Sequence, residues 1–231
     1  MCPKNIKEYK LRRILIIGLS CLGDNLLLTP SIKKIKDAFP EASFDVIIGP
    51  RSVDFAVDNP WFSQYFVYNK KKGLLKLIMQ VRKNRYDLIV DFRNSLIPYF
   101  LRGKYKLTFF LKEFFSDKTF THESERTLSF IEPFFGREKN IQLYFPLNKV
   151  YKDKGEEILL KYGIKRSDNI VVLCPGANFE GKRWDKNKFA QLGKELFRYY
   201  DIKIIAVGSK NEISLANEVI QKIDNKNAFS L

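Results

Sequence analysis

Arg13-Ile-Leu-Ile-Ile-Gly-Leu-Ser-Cys-Leu-Gly-Asp-Asn-Leu-Leu-Leu-Thr-Pro30 decides how the rest of the chain is read. Ile14 to Ile17 is a short, unbroken apolar run with β-branched side chains, the pattern of a buried strand in a parallel sheet. Gly18 to Gly23 turns the chain. Leu27, Ile32, Ile35 and Phe39 then recur at near-helical spacing, which predicts one helix. Ligands of an open α/β sheet sit at the carboxyl ends of its strands. Asp24 is therefore expected at the mouth of the first strand, in the first turn of the helix. Gly23 beside it leaves room for a substrate to approach the backbone. Two roles stay open for Asp24. It caps the helix, accepting backbone N–H bonds at the positive helix end, or it is free for chemistry. The turn is not the G-x-G-x-x-G dinucleotide fingerprint.

Outward from this stretch, strands and helices alternate. Phe44 to Ile48 reads as a second strand ended by Gly49-Pro50, Val53 to Val57 as a short helix, and Tyr65 to Tyr68 as a third strand. Gly73 to Asn84 reads as a surface helix and Tyr86 to Asp91 as a further strand. The alternation predicts a right-handed, doubly wound parallel sheet. Asn94 to Phe115 interleaves apolar and aromatic residues with Arg102, Lys104, Lys106 and Lys112. It reads either as core helix, turn and strand (Tyr105 to Phe110) or as a basic-aromatic face for an anionic membrane surface. Thr121 to Gly136 reads as a helix and Gln142 to Phe145 as a short strand. Lys149 to Lys154 is charged and interrupts the pattern, dividing the chain into residues 1–152 and 153–231. A helix from Glu156 to Tyr162, a strand Ile170 to Leu173, a helix Lys186 to Tyr199, a strand Ile202 to Val207 and a helix Asn211 to Ile223 follow. One more strand starts near Asn227, where an unpaired sheet edge is expected.

The 231 residues carry 41 basic and 26 acidic side chains, a formal net charge of +15. That excess favours a polyanionic partner: phosphorylated lipid, anionic membrane, nucleotide or nucleic acid. No base-reading motif accompanies it, so no specific nucleic-acid partner is expected. Cys2, Cys21 and Cys174 are odd in number and far apart, with neither metal-ligand spacing nor a disulfide framework, which fits a reducing compartment. The start of the chain has no apolar signal core, and no stretch reaches bilayer-spanning length.

Three stretches together resemble the bacterial lipopolysaccharide heptosyltransferases, the ADP-heptose-using glycosyltransferase family 9. They are Ile14 to Pro30, His122-Glu-Ser-Glu-Arg126, and Cys174-Pro-Gly-Ala-Asn-Phe-Glu-Gly-Lys-Arg-Trp184 followed by Lys188-Phe189. Tyr86 to Asp91 is a weaker fourth match. The resemblance implies an α/β chain of GT-B type. A complete Rossmann-like domain (1–152) takes the acceptor, and a partial second Rossmann-like domain (153–231) holds the nucleotide sugar. It implies inverting transfer of heptose from ADP-heptose to the lipopolysaccharide inner core, with no bound metal or cofactor.

Residue by residue, the resemblance makes Asp24 the general base that takes the acceptor hydroxyl's proton. It makes Lys182 a phosphate contact that stabilises the departing ADP. Gly176, Ala177 and Asn178 fall in the donor-contacting loop, and Glu212 falls near a nucleoside contact, with a first-turn helix acid as its plainer role. Gly23, Arg93, Asn94, His122 and Arg126 fall on the acceptor side. A phosphate or carboxylate grip and an ordinary surface salt bridge both stay open for Arg93. His122, the one histidine, is equally readable as a helix-terminal polar residue. A lipid-linked acceptor and the positive charge together predict a cytoplasmic protein peripheral to the inner face of the cytoplasmic membrane.

The family's later Asp-Thr/Ser-Gly-x-x-His loop has no counterpart, since His122 stands elsewhere. This raises the alternative of a truncated, non-catalytic remnant, or a split-enzyme piece that binds acceptor or a complementary C-terminal fragment.

Overall fold

A computed structural model of the chain describes residues 2–69, 73–108, 122–138, 140–177 and 179–231. It divides into two compact units, Met1–Asn148 and Lys149–Leu231.

The first unit is built on a five-stranded parallel sheet. Its strands are β1 (Arg13–Ile17), β2 (Ser43–Ile48), β3 (Gln64–Val67), β4 (Tyr86–Asp91) and β5 (Gly103–Thr108), in the order β3-β2-β1-β4-β5. Alternation along each strand explains why helices cover both faces. Ile14 and Ile16 of β1, Val46 and Ile48 of β2, and Leu88 and Val90 of β4 point into one core. Leu15, Ile17, Ile47 and Ile89 point into the other. β1, β2 and β4 carry apolar residues on both sides because both sides are buried, whereas the edge strands β3 and β5 are largely exposed or half-exposed. The first core is closed by α2 (Thr29–Ala38), α3 (Val53–Ala56) and α5 (Glu123–Phe135), the second by α4 (Leu74–Val81) and a 3₁₀ turn at Ile97–Phe100.

The helix expected after β1 is in fact two. α1 (Leu22–Leu27) ends at Leu28 and α2 restarts at Thr29, with Pro30 in its first turn. Pro30 has no N–H to continue the α1 ladder. The Thr29 hydroxyl donates to the Leu26 carbonyl at 2.6 Å in its vicinity. Buried hydroxyls then tie α5 to this pair. Ser124 Oγ donates to the Leu27 carbonyl at 3.0 Å, and Ser31 Oγ to Thr127 Oγ1 at 3.1 Å.

Two further expectations are corrected. Gln142 to Phe145 is not a strand; among the described residues it has no ladder partner, and the Tyr144 N–H donates instead to Thr29 Oγ1 at 2.9 Å. The charged run Lys149 to Lys154 stands where the two units divide, and it is helical: it begins α6 (Lys149–Lys161), which is exposed or half-exposed along its length and so tolerates those charges. In the Asn94–Phe115 stretch, Ile97, Leu101 and Leu107 are buried as core, while Leu96, Tyr99 and Phe100 are exposed. The strand in this stretch is Gly103–Thr108, and Phe109 to Phe115 lie outside the described residues.

The second unit carries α6 and a three-stranded parallel sheet of β6 (Ile170–Leu173), β7 (Lys203–Ala206) and β8 (Ala228–Ser230), ordered β6-β7-β8. Helices α7 (Lys186–Tyr199) and α8 (Ile213–Ile223) bury one face of it through Ala190, Ile204, Ala206, Ala216, Val219 and Ile223. No helix among the described residues is long and apolar enough to cross a membrane.

Candidate active site

In the first unit the chain runs outward from β1 through β2 to β3, then returns to place β4 on the other side of β1. The topological switch point is between β1 and β4, and the crevice at their carboxyl ends is where ligands of such sheets bind. One buried side chain shapes the loop after β1. Asn25 is 1% exposed, and its Oδ1 accepts from the Leu19 N–H at 2.9 Å. Its Nδ2 donates to the carbonyls of Leu19 (3.0 Å) and Cys21 (2.9 Å) and to Ser52 Oγ (2.9 Å). Gly18 has to be glycine, because a Cβ there would meet Asn25 Oδ1 at 2.5 Å.

Asp24 stands in the first turn of α1, at the crevice. Cys21 occupies the N-cap position, so capping does not occupy Asp24. Its carboxylate is exposed and makes no hydrogen bond or ion pair with any described residue. A Cβ built on Gly23 would meet nothing within 4 Å.

Arg93 follows β4 across the crevice. Its Nε donates to the Gly18 carbonyl at 3.2 Å and its Nη2 to Ser20 Oγ at 2.8 Å, while its guanidinium lies 5.0 Å from the Tyr68 ring centroid. It is a clamp between the β1 and β4 loops, not one half of a surface salt bridge. Burial pulls its pKa down from the ordinary value. Asp91, fully buried at the end of β4, accepts from the N–H groups of Arg93 (2.9 Å) and Ser95 (2.8 Å) and from Ser95 Oγ (3.0 Å). Burial still raises its pKa, those bonds opposing the shift. Asn94 between them takes a left-handed φ of 57°, a conformation asparagine tolerates.

α5 reaches the crevice from the other side of α1, through the Ser124–Leu27 bond one turn beyond Asp24. His122 is the N-cap of α5: its Nδ1 accepts from the Ser124 N–H at 3.3 Å. Arg126 pairs with Glu123 on the same helix, its Nε donating to Oε2 at 2.8 Å.

The second unit gathers its candidates where β6 and β7 end. Gly176 lies against Glu212, where a Cβ would sit 2.3 Å from the carboxylate. Glu212 Oε2 accepts from the Ser209 Oγ (2.6 Å) and N–H (2.9 Å). The Ser209 hydroxyl bond, then its backbone bond, and the Arg183 charge hold the Glu212 pKa below its ordinary value. Glu212 occupies the N-cap position of α8, yet its side chain turns back to close the β7 loop. Arg183 Nε donates to the Ala177 carbonyl at 2.8 Å. Lys182 ends a 3₁₀ turn, Glu180–Lys182; its exposed ammonium pairs with no described residue. Asp185 caps α7 by accepting from the Asn187 and Lys188 N–H groups. Asn178 lies outside the described residues. No group of three or more His, Cys, Asp or Glu is placed to hold a metal ion among the described residues.

Sequence reasoning passed over Asn25 and Arg183. A polar residue on an otherwise apolar helix face, seven positions after a glycine, was the available signal for Asn25.

Comparison with known proteins agrees with this architecture. The chain is 27% identical over 214 residues to lipooligosaccharide heptosyltransferase 2 of Campylobacter jejuni, an alignment covering 89% of this chain and 63% of that protein. It thus spans a little under two thirds of that relative's length. A crystal structure of the glycosyl transferase family 9 protein from Veillonella parvula superposes with a TM-score of 0.77 at 15% identity, covering 95% of this chain and 69% of the other. The E. coli heptosyltransferase WaaC with ADP-2-deoxy-2-fluoro heptose gives 0.69 at 16% identity, covering 95% and 76%. The model of glycosyltransferase family 9 (heptosyltransferase) matches residues 74–229, from α4 to the last strand. With about two thirds of its residues inside that match, the chain belongs to glycosyltransferase family 9, the heptosyltransferases.

Proposed function

We propose that the chain carries out inverting transfer of a heptose from ADP-heptose to a core sugar of lipopolysaccharide, with the first unit on the acceptor side and the second on the donor side. The observation that carries this reading is Asp24: an exposed, unengaged carboxylate at the switch-point crevice, beside the open space at Gly23. Family membership and the ADP-2-deoxy-2-fluoro heptose of the WaaC structure support the donor.

In this mechanism Asp24 takes the proton of an acceptor hydroxyl as that oxygen bonds to the heptose anomeric carbon. The bond from that carbon to the ADP phosphate oxygen breaks, and ADP leaves with the electron pair. Attack from the face opposite ADP inverts the anomeric centre. Negative charge grows on the departing phosphate, where the Lys182 ammonium and the backbone N–H groups of the Gly176–Asn178 loop offset it. Glu212, ionised and fixed by Ser209, accepts from the nucleoside. Arg93, His122 and Arg126 border the acceptor. Arg93 holds the crevice open in one shape while its Nη1 stays available to a phosphate. The net charge of +15 supports a phosphorylated, lipid-linked acceptor and a peripheral place on the cytoplasmic face of an anionic membrane.

Isothermal titration of the chain with ADP and ADP-heptose, alongside Lys182→Ala, tests the donor half. Binding that Lys182→Ala weakens at least tenfold supports it. No binding by the wild-type chain removes it.

A further inference from the structure

A groove of about 780 Å³ runs between β3 and α4, on the edge of the first unit. β3 is the outermost strand of its sheet. It pairs with β2 along one side, and its other side has no strand partner among the described residues. A free edge of this kind presents a row of unpaired backbone N–H and C=O groups, a template for one more strand. The sequence of β3, Gln64-Tyr-Phe-Val67, favours a pleated strand and carries none of the devices that blunt an edge: no lysine, no proline and no bulge in its register with β2.

The edge is held in one place. Asp45 is fully buried, and its Oδ2 accepts from Arg13 Nη2 and from the Tyr86 hydroxyl, each at 2.8 Å. Arg13 Nη2 also donates to Gln64 Oε1 at 3.4 Å, and Asn84 Nδ2 donates to the same oxygen at 3.3 Å. The first residue of β3 is thus tied to β1 through Arg13 and to the turn after α4 through Asn84. An incoming chain meets a cleft that is already formed, which lowers the ordering cost of binding.

The two faces of an added strand meet different surroundings. Phe66 packs against the core beneath α4, whereas Tyr65 and Val67, on the other side of β3, are 44% and 38% exposed. A strand laid beside β3 continues the alternation, so every second side chain falls on the α4 side. Lys76, Gln80 and Lys83 line the groove there. Neither lysine has an ion pair or hydrogen bond to any described residue, and no carboxylate lines the groove among the described residues. Charge therefore selects acidic side chains at alternate positions. It disfavours a second copy of this chain, because edge-to-edge pairing brings the same lysines to one seam in a protein of net charge +15.

We infer that β3 is the docking edge for an extended acidic segment of a partner protein, which adds a strand to the sheet with its carboxylates facing α4. The site uses neither Asp24 nor Lys182, so its failure and that of the proposed transfer reaction are read separately.

The test is fluorescence anisotropy of the full chain with a labelled, N-acetylated hexapeptide in which glutamate alternates with threonine or valine. Saturable binding is expected. An isomer of the same composition with its glutamates in one block should bind at least tenfold more weakly. Two more isomers carry N-methyl groups on alternate backbone nitrogens, in one phase or the other. One should stay within threefold of the parent and the other lose tenfold or more, since only one set of N–H groups faces β3. Lys76→Glu/Lys83→Glu, checked for folding by circular dichroism, is expected to lose tenfold or more, and Lys152→Glu/Lys154→Glu on α6 to stay within twofold. Amide exchange at residues 64–67 should slow when the peptide binds. No binding by the wild-type chain overturns the site. So does equal affinity for the blocked isomer, equal behaviour of the two methylated isomers, unchanged exchange at residues 64–67, or binding that the Lys76/Lys83 variant leaves intact or that the α6 control loses equally. A peptide-free dimer in sedimentation velocity that Lys76→Glu/Lys83→Glu tightens would give the edge to a second copy and overturn the acidic partner.

Discussion

The carboxamide of Asn25 closes on both backbone groups of Leu19: Oδ1 accepts from its N–H at 2.9 Å, and Nδ2 donates to its carbonyl at 3.0 Å. This fixes the loop between β1 and α1 as a closed ring of hydrogen bonds. Replacing Asn25 by leucine leaves buried backbone groups unpaired, and such groups cost about 1–3 kcal/mol each. Urea unfolding of Asn25→Leu is expected to show a loss of about 3 kcal/mol in the first unit. Gly18→Ala, which pushes against the same Oδ1, is expected to cost about 2 kcal/mol alone and much less in an Asn25→Ala background. Full additivity of the two would show that they do not act on each other.

Asp24→Asn removes a carboxylate that touches no described residue. Its stability should stay within about 0.5 kcal/mol of wild type. In an assay of heptose transfer, the loss of a general base is expected to lower kcat at least about 100-fold. Transfer at the wild-type rate would remove Asp24 from the chemistry.

Gly176→Ala drives a methyl group into the Glu212 carboxylate, which must swing off Ser209. The fold should melt almost unchanged, because the displaced group is the end of a flexible side chain at the surface. ADP affinity is expected to fall about tenfold, or about 1.4 kcal/mol. A Glu212→Gln variant with unaltered ADP affinity would separate Glu212 from the donor.

Burial raises the Asp91 pKa above its ordinary 3.8, so the folded chain holds this proton more tightly than the unfolded one. The stability Asp91 contributes is therefore complete below pH 3.8 and declines as pH rises through the folded value. Asp91→Asn has no such proton. The unfolding free energy of wild type relative to Asp91→Asn is expected to decrease as pH is raised from 3.8. An increase would mean that the Ser95 and Arg93 hydrogen bonds outweigh burial.

Attachment to an anionic membrane surface is an electrostatic prediction. Co-sedimentation with phosphatidylglycerol vesicles should be strong at low ionic strength and largely lost at about 0.5 M salt, where charges are screened within a few ångströms. Equal binding to neutral vesicles would contradict it.

The sheet was legible because its signal is local. Leu88 to Val90 and Ile170 to Leu173 are continuous apolar runs, and the strands that hold them, Tyr86–Asp91 and Ile170–Leu173, cover the expected residues. The break at Leu28 was hidden because Leu27, Ile32, Ile35 and Phe39 keep helical spacing across it; only Thr29-Pro30 betrays it. Gln142 to Phe145 alternates like a strand, but pairing is a property of a distant neighbour, and none of the described residues pairs with it. The same holds for the candidate residues of each unit. Asp24 in the first and Lys182 in the second could be named from their own motifs. Arg93 as a clamp needed the Gly18 carbonyl and Tyr68, which lie 75 and 25 positions away in sequence.

The buried hydroxyl contacts Ser124–Leu27 and Ser31–Thr127 have one more effect. Oily contacts between helices are nearly indifferent to a slide along the axis, whereas a directed O–H bond in a dry interface has one setting. The two contacts act like the teeth of a rack, allowing α5 one registration against α1 and α2. His122 and Arg126 ride on α5, so the placement of these two proposed acceptor-side residues is indexed by hydroxyls that lie outside the proposed site. A drift toward Ala or Val at those positions could keep the fold stable while letting the crevice lose its alignment.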